Sequence, residues 1–177
     1  TEEVLNQQKN YMMDLGYDFF QNPTRDNFVK IILKNTGEQD NLDFKSKWIG
    51  EQKLAEIILG IANVGNGAII LGVEELKDGR FEANGLEKLI DKGDISAKLY
   101  RFLPNELKFE IFDFDFTGEN YSKLLNKLFQ IIFIISEDEK LPYILDNNID
   151  GSTKGTIYYR KGTKNLQADS GNIKEII

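Results

Sequence analysis

The sequence predicts a mixed α/β (α+β) domain with a central mixed β-sheet flanked by helices. Apolar residues recur at i, i+3, i+4 and i+7 along residues 51–63, as is typical of an amphipathic helix. Two nearly continuous apolar runs, Ala68–Val73 and Phe129–Ile135, are typical of strands that are covered on both faces. The 177 residues are 41% hydrophobic and 29% charged, which is ordinary for one globular domain.

The N-terminal part of the chain is predicted to be a helical extension. Residues 2–14 carry apolar residues at helical spacing, and the helix predicted from them ends near Gly16. A second helix is predicted from Pro23 to about Lys34, where Asn35-Thr36-Gly37 stops it. These helices give the predicted boundaries, an extension at residues 1–35 and a main domain at residues 36–177.

The main domain is predicted to open with a split α/β unit. Residues 41–47 read as a strand, residues 51–63 as a helix and residues 68–73 as a central strand. The turn Asn63–Gly67 contains residues that tolerate positive φ. Such a turn exposes N–H groups to phosphate or, more commonly, lets a helix pack closely on a strand.

The second half of the chain continues the alternation of helices and strands. We predict helix at residues 86–103, interrupted near residues 92–94, and a short helix at residues 121–128. Between them, the apolar phase of residues 107–116 changes from odd to even positions, which indicates a bulge near Ile111-Phe112. A buried strand at 129–135, a last strand at 155–161 and a helix from Asn172 follow.

Composition excludes several kinds of chemistry. The chain has no cysteine and no histidine, which removes Cys/His zinc sites, cysteine nucleophiles and Ser-His-Asp triads. Catalysis would have to use carboxylates, lysine, arginine, hydroxyls or a metal held by oxygen atoms. The net charge of −7 opposes non-specific binding to phosphates, so a nucleic-acid site requires local positive charge.

Four acidic residues could form one site. Glu38 and Asp43 flank the start of the first strand, and Glu74 and Glu75 end the central strand. If they meet, their mutual repulsion calls for a divalent cation such as Mg²⁺ or Mn²⁺. The alternative is a solvated, charged edge strand followed by a charged hairpin turn at residues 75–80.

Basic residues cluster near the C-terminus of this acidic chain. No acid interrupts the eleven residues from Lys154 to Lys164, which also contain two adjacent tyrosines, one of which must face away from the core. Cations beside an exposed aromatic ring form a platform for phosphates and bases, or else protect an edge strand from aggregation. The candidate nucleic-acid-binding residues are Lys45, Lys47, Tyr158, Arg160, Lys161 and Lys164.

Three stretches together resemble the AlbA-2/Schlafen-like domain family. They are Glu38-x4-Asp43-Phe44-Lys45, the block Ile61-Ala-Asn-Val-Gly-Asn-Gly-Ala-Ile-Ile-Leu-Gly-Val-Glu-Glu75, and Ile157-Tyr-Tyr-Arg-Lys-Gly-Thr163. The middle block is the most specific, with Asn66 in place of the first glycine of the usual pair. The resemblance implies a metal-dependent endoribonuclease that cleaves structured RNA such as tRNA.

The resemblance also implies roles for individual residues. Glu38 and Asp43 take the first two acidic positions, and Glu74 or Glu75 takes the third. The metal ligands would be Glu38, Asp43 and Glu74, with Mg²⁺ or Mn²⁺ as the ion. Lys45 matches the family's lysine after the acidic-aromatic pair, and Arg160 matches the arginine of the last strand.

The family context adds expectations about the whole protein. Relatives are regulatory or defence proteins in which this domain is fused to a helicase, an NTPase or a winged-helix region, so we expect a fragment of a longer protein. Schlafen nuclease cores combine two related lobes, whereas this chain contains one copy. The resemblance therefore implies a homodimer or a larger oligomer, with RNA or DNA as partner. No apolar run of membrane-spanning length or signal peptide is present, and a cytoplasmic location is expected.

Two alternative functions follow from the same residues. The first is a non-catalytic module that senses nucleic acid or a nucleotide and switches a fused partner. The second is a purely structural oligomerisation domain. The net negative charge of the chain is compatible with both alternatives.

Overall fold

The computed structural model describes residues 3, 18–19, 21–34, 41–118 and 123–177. The predicted first helix, residues 2–14, lies outside them except for Glu3. The helices are α1 (Arg25–Lys34), α2 (Glu51–Ala62), α3 (Lys92–Leu99) and α4 (Ser170–Ile176). The strands are β1 (Leu42–Lys45), β2 (Gly67–Leu71), β3 (Glu74–Glu75), β4 (Phe81–Glu82), β5 (Lys108–Asp115), β6 (Leu128–Ile135), β7 (Tyr158–Lys161) and β8 (Lys164–Gln167).

The central sheet has four strands in the order β1-β2-β6-β5. β1 and β2 are parallel, whereas β6 is antiparallel to both β2 and β5. α2 supplies the crossover that a parallel pair requires. The predicted fold class, a mixed sheet flanked by helices, is confirmed.

One face of the sheet, the α2 face, is covered by α2. Strand alternation directs Ile69 and Leu71 of β2 and Ile132 and Ile134 of β6 toward this helix. Five aliphatic residues of α2 meet them, all of them buried: Leu54, Ile57, Ile58, Leu59 and Ile61. Tyr143 and Tyr158 complete this core from the C-terminal part of the chain.

The opposite face, the α1 face, is covered by α1 and is built from phenylalanine. The ring of Phe28 lies 4.8 Å from that of Phe114 and 5.2 Å from that of Phe129, centroid to centroid. Phe19, Phe116 and Phe133 belong to the same core. The predicted second helix is thus confirmed, since α1 ends at Lys34 and buries Phe28 and Ile31.

The bulge predicted near Ile111-Phe112 is wrong. β5 pairs with β6 residue for residue from Lys108 to Asp115. The apolar phase changes because Phe109 and Ile111 pack on the α2 face, whereas Phe112 and Phe114 pack on the α1 face. Two cores that are offset along one regular strand therefore produce the pattern of a register slip.

Two predicted helices are also shorter or missing. α3 covers only Lys92–Leu99, and the Asp91 side chain caps it by accepting the N–H of Asp94 at 2.9 Å. Leu86 instead forms a β-bridge with Leu128, which itself begins β6. Residues 123–126 form turns where the short helix was predicted, and residues 121–122 lie outside the described part.

Two hairpins, β3–β4 and β7–β8, lie beside the central sheet. The β7–β8 hairpin packs against α2 so closely that a Cβ at Gly60 would lie 2.4 Å from Asn165 Oδ1. Glycine at this helical position therefore permits the approach.

Within the described ranges, no helix is both long enough and apolar enough to cross a membrane.

Candidate functional site

Asp43 and Arg160 form a buried ion pair that joins β1 to β7. Asp43 is 3% exposed and Arg160 is 2% exposed. Arg160 Nη2 donates to Asp43 Oδ1 at 3.0 Å, and Lys45 Nζ lies 2.7 Å from Asp43 Oδ2. One carboxylate is therefore shared by two cations, so this local group carries a net positive charge.

Strand alternation explains why the carboxylate is buried. Leu42 and Phe44 face the α1 side, so Asp43 and Lys45 between and after them face the α2 side. The Lys45 side chain stays partly exposed, whereas the Asp43 side chain is buried. A buried carboxylate is costly unless it is paired and hydrogen-bonded, and Arg160 supplies both.

Glu74 and Glu75 lie in β3, and both are exposed. Glu74 Oε2 accepts a hydrogen bond from Asn84 Nδ2 at 2.9 Å. The chain then turns at residues 77–79, and Arg80 Nε pairs with Asp78 Oδ2 at 2.7 Å. This is the charged hairpin of the alternative interpretation.

The described residues do not form a metal site by themselves. No group of three or more carboxylates is close enough to share an ion within the described ranges. Glu38, the first predicted ligand, lies outside those ranges. Both oxygens of Asp43 face cations. A site for Mg²⁺ or Mn²⁺ formed by Glu38, Asp43 and Glu74 therefore stays a prediction.

The side chains around this ion pair form a basic hollow between β1, α2 and the β7–β8 hairpin. Its charged lining residues are four cations and one carboxylate, namely Lys45, Lys53, Arg160, Lys164 and Asp43. The three lysines are at least partly exposed, and we call them the lysine face. Lys53 also lies 3.2 Å from Glu56, an exposed pair that is worth little in water.

The other predicted binding residues divide into exposed and buried ones. Lys47, Lys161 and Lys164 are exposed. Tyr158 and Arg160 are buried side by side on the inner surface of β7, whereas Tyr159 is half-buried on its outer surface. The sequence predicted that one tyrosine faces away from the core, and that tyrosine is Tyr159.

A sequence profile of the family described as Schlafen, AlbA_2 matches residues 38–169. The chain belongs to this family. The match begins at Glu38 and includes the Asp43–Arg160 pair, the lysine face and both strands of the β7–β8 hairpin. The resemblance noted in the sequence is therefore confirmed, and it covers most of the chain.

Two solved structures resemble this chain, and the first of them shares its fold. The DIP2311 protein from Corynebacterium diphtheriae is 17% identical, with a TM-score of 0.51 over 84% of this chain and 27% of that chain. This chain thus spans about a quarter of that protein. The N-terminal domain of a RecG-related protein from Nitrosomonas europaea is also 17% identical, with a TM-score of 0.42 over 73% of this chain and 82% of that one. Comparison with curated proteins finds no match.

Asn63 is a positioning residue of this Schlafen AlbA_2 domain that the sequence alone did not reveal. Its Nδ2 donates to the carbonyls of Tyr143 at 2.9 Å and Tyr158 at 2.7 Å, and its Oδ1 accepts the N–H of Tyr143 at 2.7 Å. It thereby fixes β7 against the end of α2. The signal was its place directly after the amphipathic helix, in the turn Asn63–Gly67, for which the sequence predicts a phosphate contact or close helix–strand packing but no role of the Asn63 side chain.

Gln130 performs a similar task at the other end of the sheet. This buried residue of β6 accepts the indole N–H of Trp48 at 2.9 Å and the N–H of Ile90 at 3.0 Å through Oε1. Its Nε2 donates to the Ile90 carbonyl and to Asp113. Gln130 thereby anchors the loop between β1 and α2, which carries Lys47.

Proposed function

We propose that this domain binds nucleic acid through the lysine face. The observation that carries the proposal is the charge of the hollow, with four cations and one carboxylate in a chain whose net charge is −7. Positive charge collected on one surface of an acidic protein directs a polyanion to that surface. Two further exposed lysines lie in neighbouring elements, Lys47 in the loop after β1 and Lys161 at the end of β7.

The buried ion pair supports this function by fixing the arrangement of the lysines. The buried Arg160 side chain neutralises the charge of Asp43, so this carboxylate repels an approaching phosphate less. Lys45 is held by Asp43 at 2.7 Å, while 29% of its side chain stays exposed. A lysine already held in place loses less side-chain entropy when it binds a phosphate.

The family resemblance favours structured RNA, such as tRNA, over DNA as the ligand. Fluorescence anisotropy of labelled tRNA, measured at several salt concentrations, tests the proposal. The triple variant Lys45→Gln, Lys53→Gln, Lys164→Gln should bind at least about tenfold more weakly, with a salt slope reduced by about 2.

A matched control separates this surface from overall charge. The variant Lys30→Gln, Lys88→Gln, Lys123→Gln removes three exposed lysines elsewhere and should keep the wild-type salt slope. Equal losses in both triple variants would contradict the proposal, and so would a wild-type domain that binds neither RNA nor DNA. Emission from Trp48, the single tryptophan, checks that each variant is folded.

We propose in addition that the domain cleaves structured RNA with the help of a metal ion. This proposal rests on the family resemblance and requires Glu38, Asp43 and Glu74 or Glu75 to act together. Incubation of the domain with tRNA and Mn²⁺ should give discrete products that are lost in Glu38→Gln and Glu74→Gln. These two variants test the prediction better than Asp43→Asn, because Asp43 also holds Arg160. Undiminished cleavage by both would remove the site assignment.

A further inference from the structure

A second concavity adjoins the basic hollow and shares the lining residue Arg160 with it. It has a volume of about 530 Å³ and lies between the turn after α2, residues 136–141, β7 and α4. We call it the tyrosine pocket, defined by Val64, Asp138, Tyr159, Lys161 and Glu175. All of its walls belong to the described part of the chain.

The tyrosine pocket combines an aromatic and apolar wall with two carboxylates. Tyr159 is half-buried, and Val64 is 44% exposed although it is aliphatic. Asp138 and Glu175 are exposed, and neither forms an ion pair within the described residues. This chemistry differs from that of the lysine face, where the single carboxylate is neutralised by two cations.

We infer that the tyrosine pocket holds an unpaired nucleobase that carries an exocyclic amino group. The inference rests on the proposed function, because the base belongs to the strand bound at the lysine face. Unpaired bases of RNA are commonly stacked on aromatic side chains and hydrogen-bonded along their edges. Two free carboxylates repel a phosphate but accept hydrogen bonds from an amino group.

The placement of residues along β7 supports the same ligand. Tyr159 and Lys161 lie two positions apart on the outer surface of the strand, roughly 6.6 Å from each other along its axis. An aromatic ring and a cation on one strand surface can therefore contact a base and a neighbouring phosphate of the same chain. Arg160, between them, points inward and is already paired with Asp43.

Cytosine and uracil distinguish this inference from plain electrostatic binding. They differ mainly at one edge, where cytosine has an amino group and uracil a carbonyl oxygen. A carboxylate accepts from the amino group of cytosine, whereas at uracil it meets carbonyl oxygens on both sides of the single ring N–H donor. We therefore expect oligocytidylate of twelve residues to bind about tenfold more tightly than oligouridylate of equal length.

Anisotropy titrations with the two labelled oligonucleotides test this expectation. The variant Asp138→Asn, Glu175→Gln should lose the preference for cytosine, whereas the control variant Asp94→Asn, Glu106→Gln, which alters exposed acids elsewhere, should keep it. Tyr159→Ala should weaken binding of both oligonucleotides, and Tyr159→Phe should restore it because a phenyl ring still stacks.

The outcomes separate the two proposals. Equal affinity for both oligonucleotides, with binding still dependent on the lysine face, would overturn the base pocket and leave the proposed function standing. A preference for cytosine that survives in Asp138→Asn, Glu175→Gln would overturn the assignment of the pocket. Failure of tRNA and of both oligonucleotides to bind would overturn both proposals.

Discussion

The two faces of the central sheet are built from different chemistry. The core of the α1 face is apolar and dominated by phenylalanine, with Phe28 stacked on Phe114. On the α2 face, Leu, Ile and Tyr surround polar groups. The buried polar or charged residues of the described chain, Asp43, Asn63, Gln130 and Arg160, all lie on the α2 face.

The difference indicates what each face does. Burying a polar group costs free energy unless its partners are in place, so apolar packing is the simpler way to stabilise a sheet. The four polar residues instead fix positions: Asp43 and Arg160 join β1 to β7, Asn63 holds β7 against α2, and Gln130 holds the loop after β1. The surface beside them carries the lysine face and the tyrosine pocket.

The largest effect should come from breaking the ion pair on the α2 face. Arg160→Met leaves Asp43 buried with only the partly exposed Lys45 beside it. We expect the free energy of unfolding to fall by about 3 kcal/mol. Urea denaturation followed by Trp48 fluorescence measures it.

The double variant Asp43→Val, Arg160→Met sharpens this test. Because both charges are removed, the free energy of unfolding should return to within about 1 kcal/mol of the wild type. RNA affinity should nevertheless be lower than that of the wild type, since Lys45 and the β7–β8 hairpin lose their shared anchor. A fully stable Arg160→Met protein would show that the two faces do not differ in the way described.

A smaller effect should come from the close approach of α2 and the hairpin. Gly60→Ala gains up to about 1 kcal/mol of helix propensity but places a Cβ 2.4 Å from Asn165 Oδ1. Overpacking of this kind costs about 1–3 kcal/mol, so we expect a net loss of about 1 kcal/mol in urea denaturation.

Removing the obstructing side chain should reverse the sign of this effect. In an Asn165→Ala background, Gly60→Ala should raise the free energy of unfolding, because the helix-propensity gain remains and the clash is gone. Destabilisation of equal size in both backgrounds would mean that the Asn165 contact does not limit the approach of α2.

The smallest effect concerns pH. Burial raises the pKa of the Tyr158 hydroxyl, whereas an unfolded tyrosine has a pKa of about 10. The stability that Tyr158 contributes is therefore complete below about pH 10 and is lost as the pH rises toward the pKa of the folded state. Phenylalanines of the α1 face do not titrate.

Tyr158→Phe should accordingly make the free energy of unfolding less sensitive to pH between about pH 9 and 11. Part of the sensitivity should remain, because burial also raises the pKa of Tyr100. Urea denaturation at a series of pH values measures the change. An identical alkaline loss in the variant would assign that loss to other groups.

Elements with a strong local pattern were predictable from sequence. α2 and β6 lie where their apolar spacing placed them, because each buries most of its side chains regardless of its partners. The prediction of a bulge in β5 was wrong because its apolar side chains pack into two different cores. The local sequence pattern does not indicate which core a residue packs against.

The site was only partly predictable. Asp43, Lys45 and Lys164 were selected from charge and spacing, and the structure places them around one hollow. The pairing of Asp43 with Arg160 joins residues 117 positions apart, which a single sequence does not encode locally. Lys53 was missed because a lysine on the polar side of an amphipathic helix has the pattern of an ordinary solvated residue.

Amide chemical-shift mapping during titration with tRNA tests most directly whether the α2 face is the functional one. We predict that the largest shifts occur in β1, the first half of α2 and the β7–β8 hairpin. Amides of α1 and of residues 123–127, on the opposite face, should stay nearly unchanged although Lys30 and Lys123 are exposed there. Shifts concentrated in α1 and residues 123–127 would contradict the account.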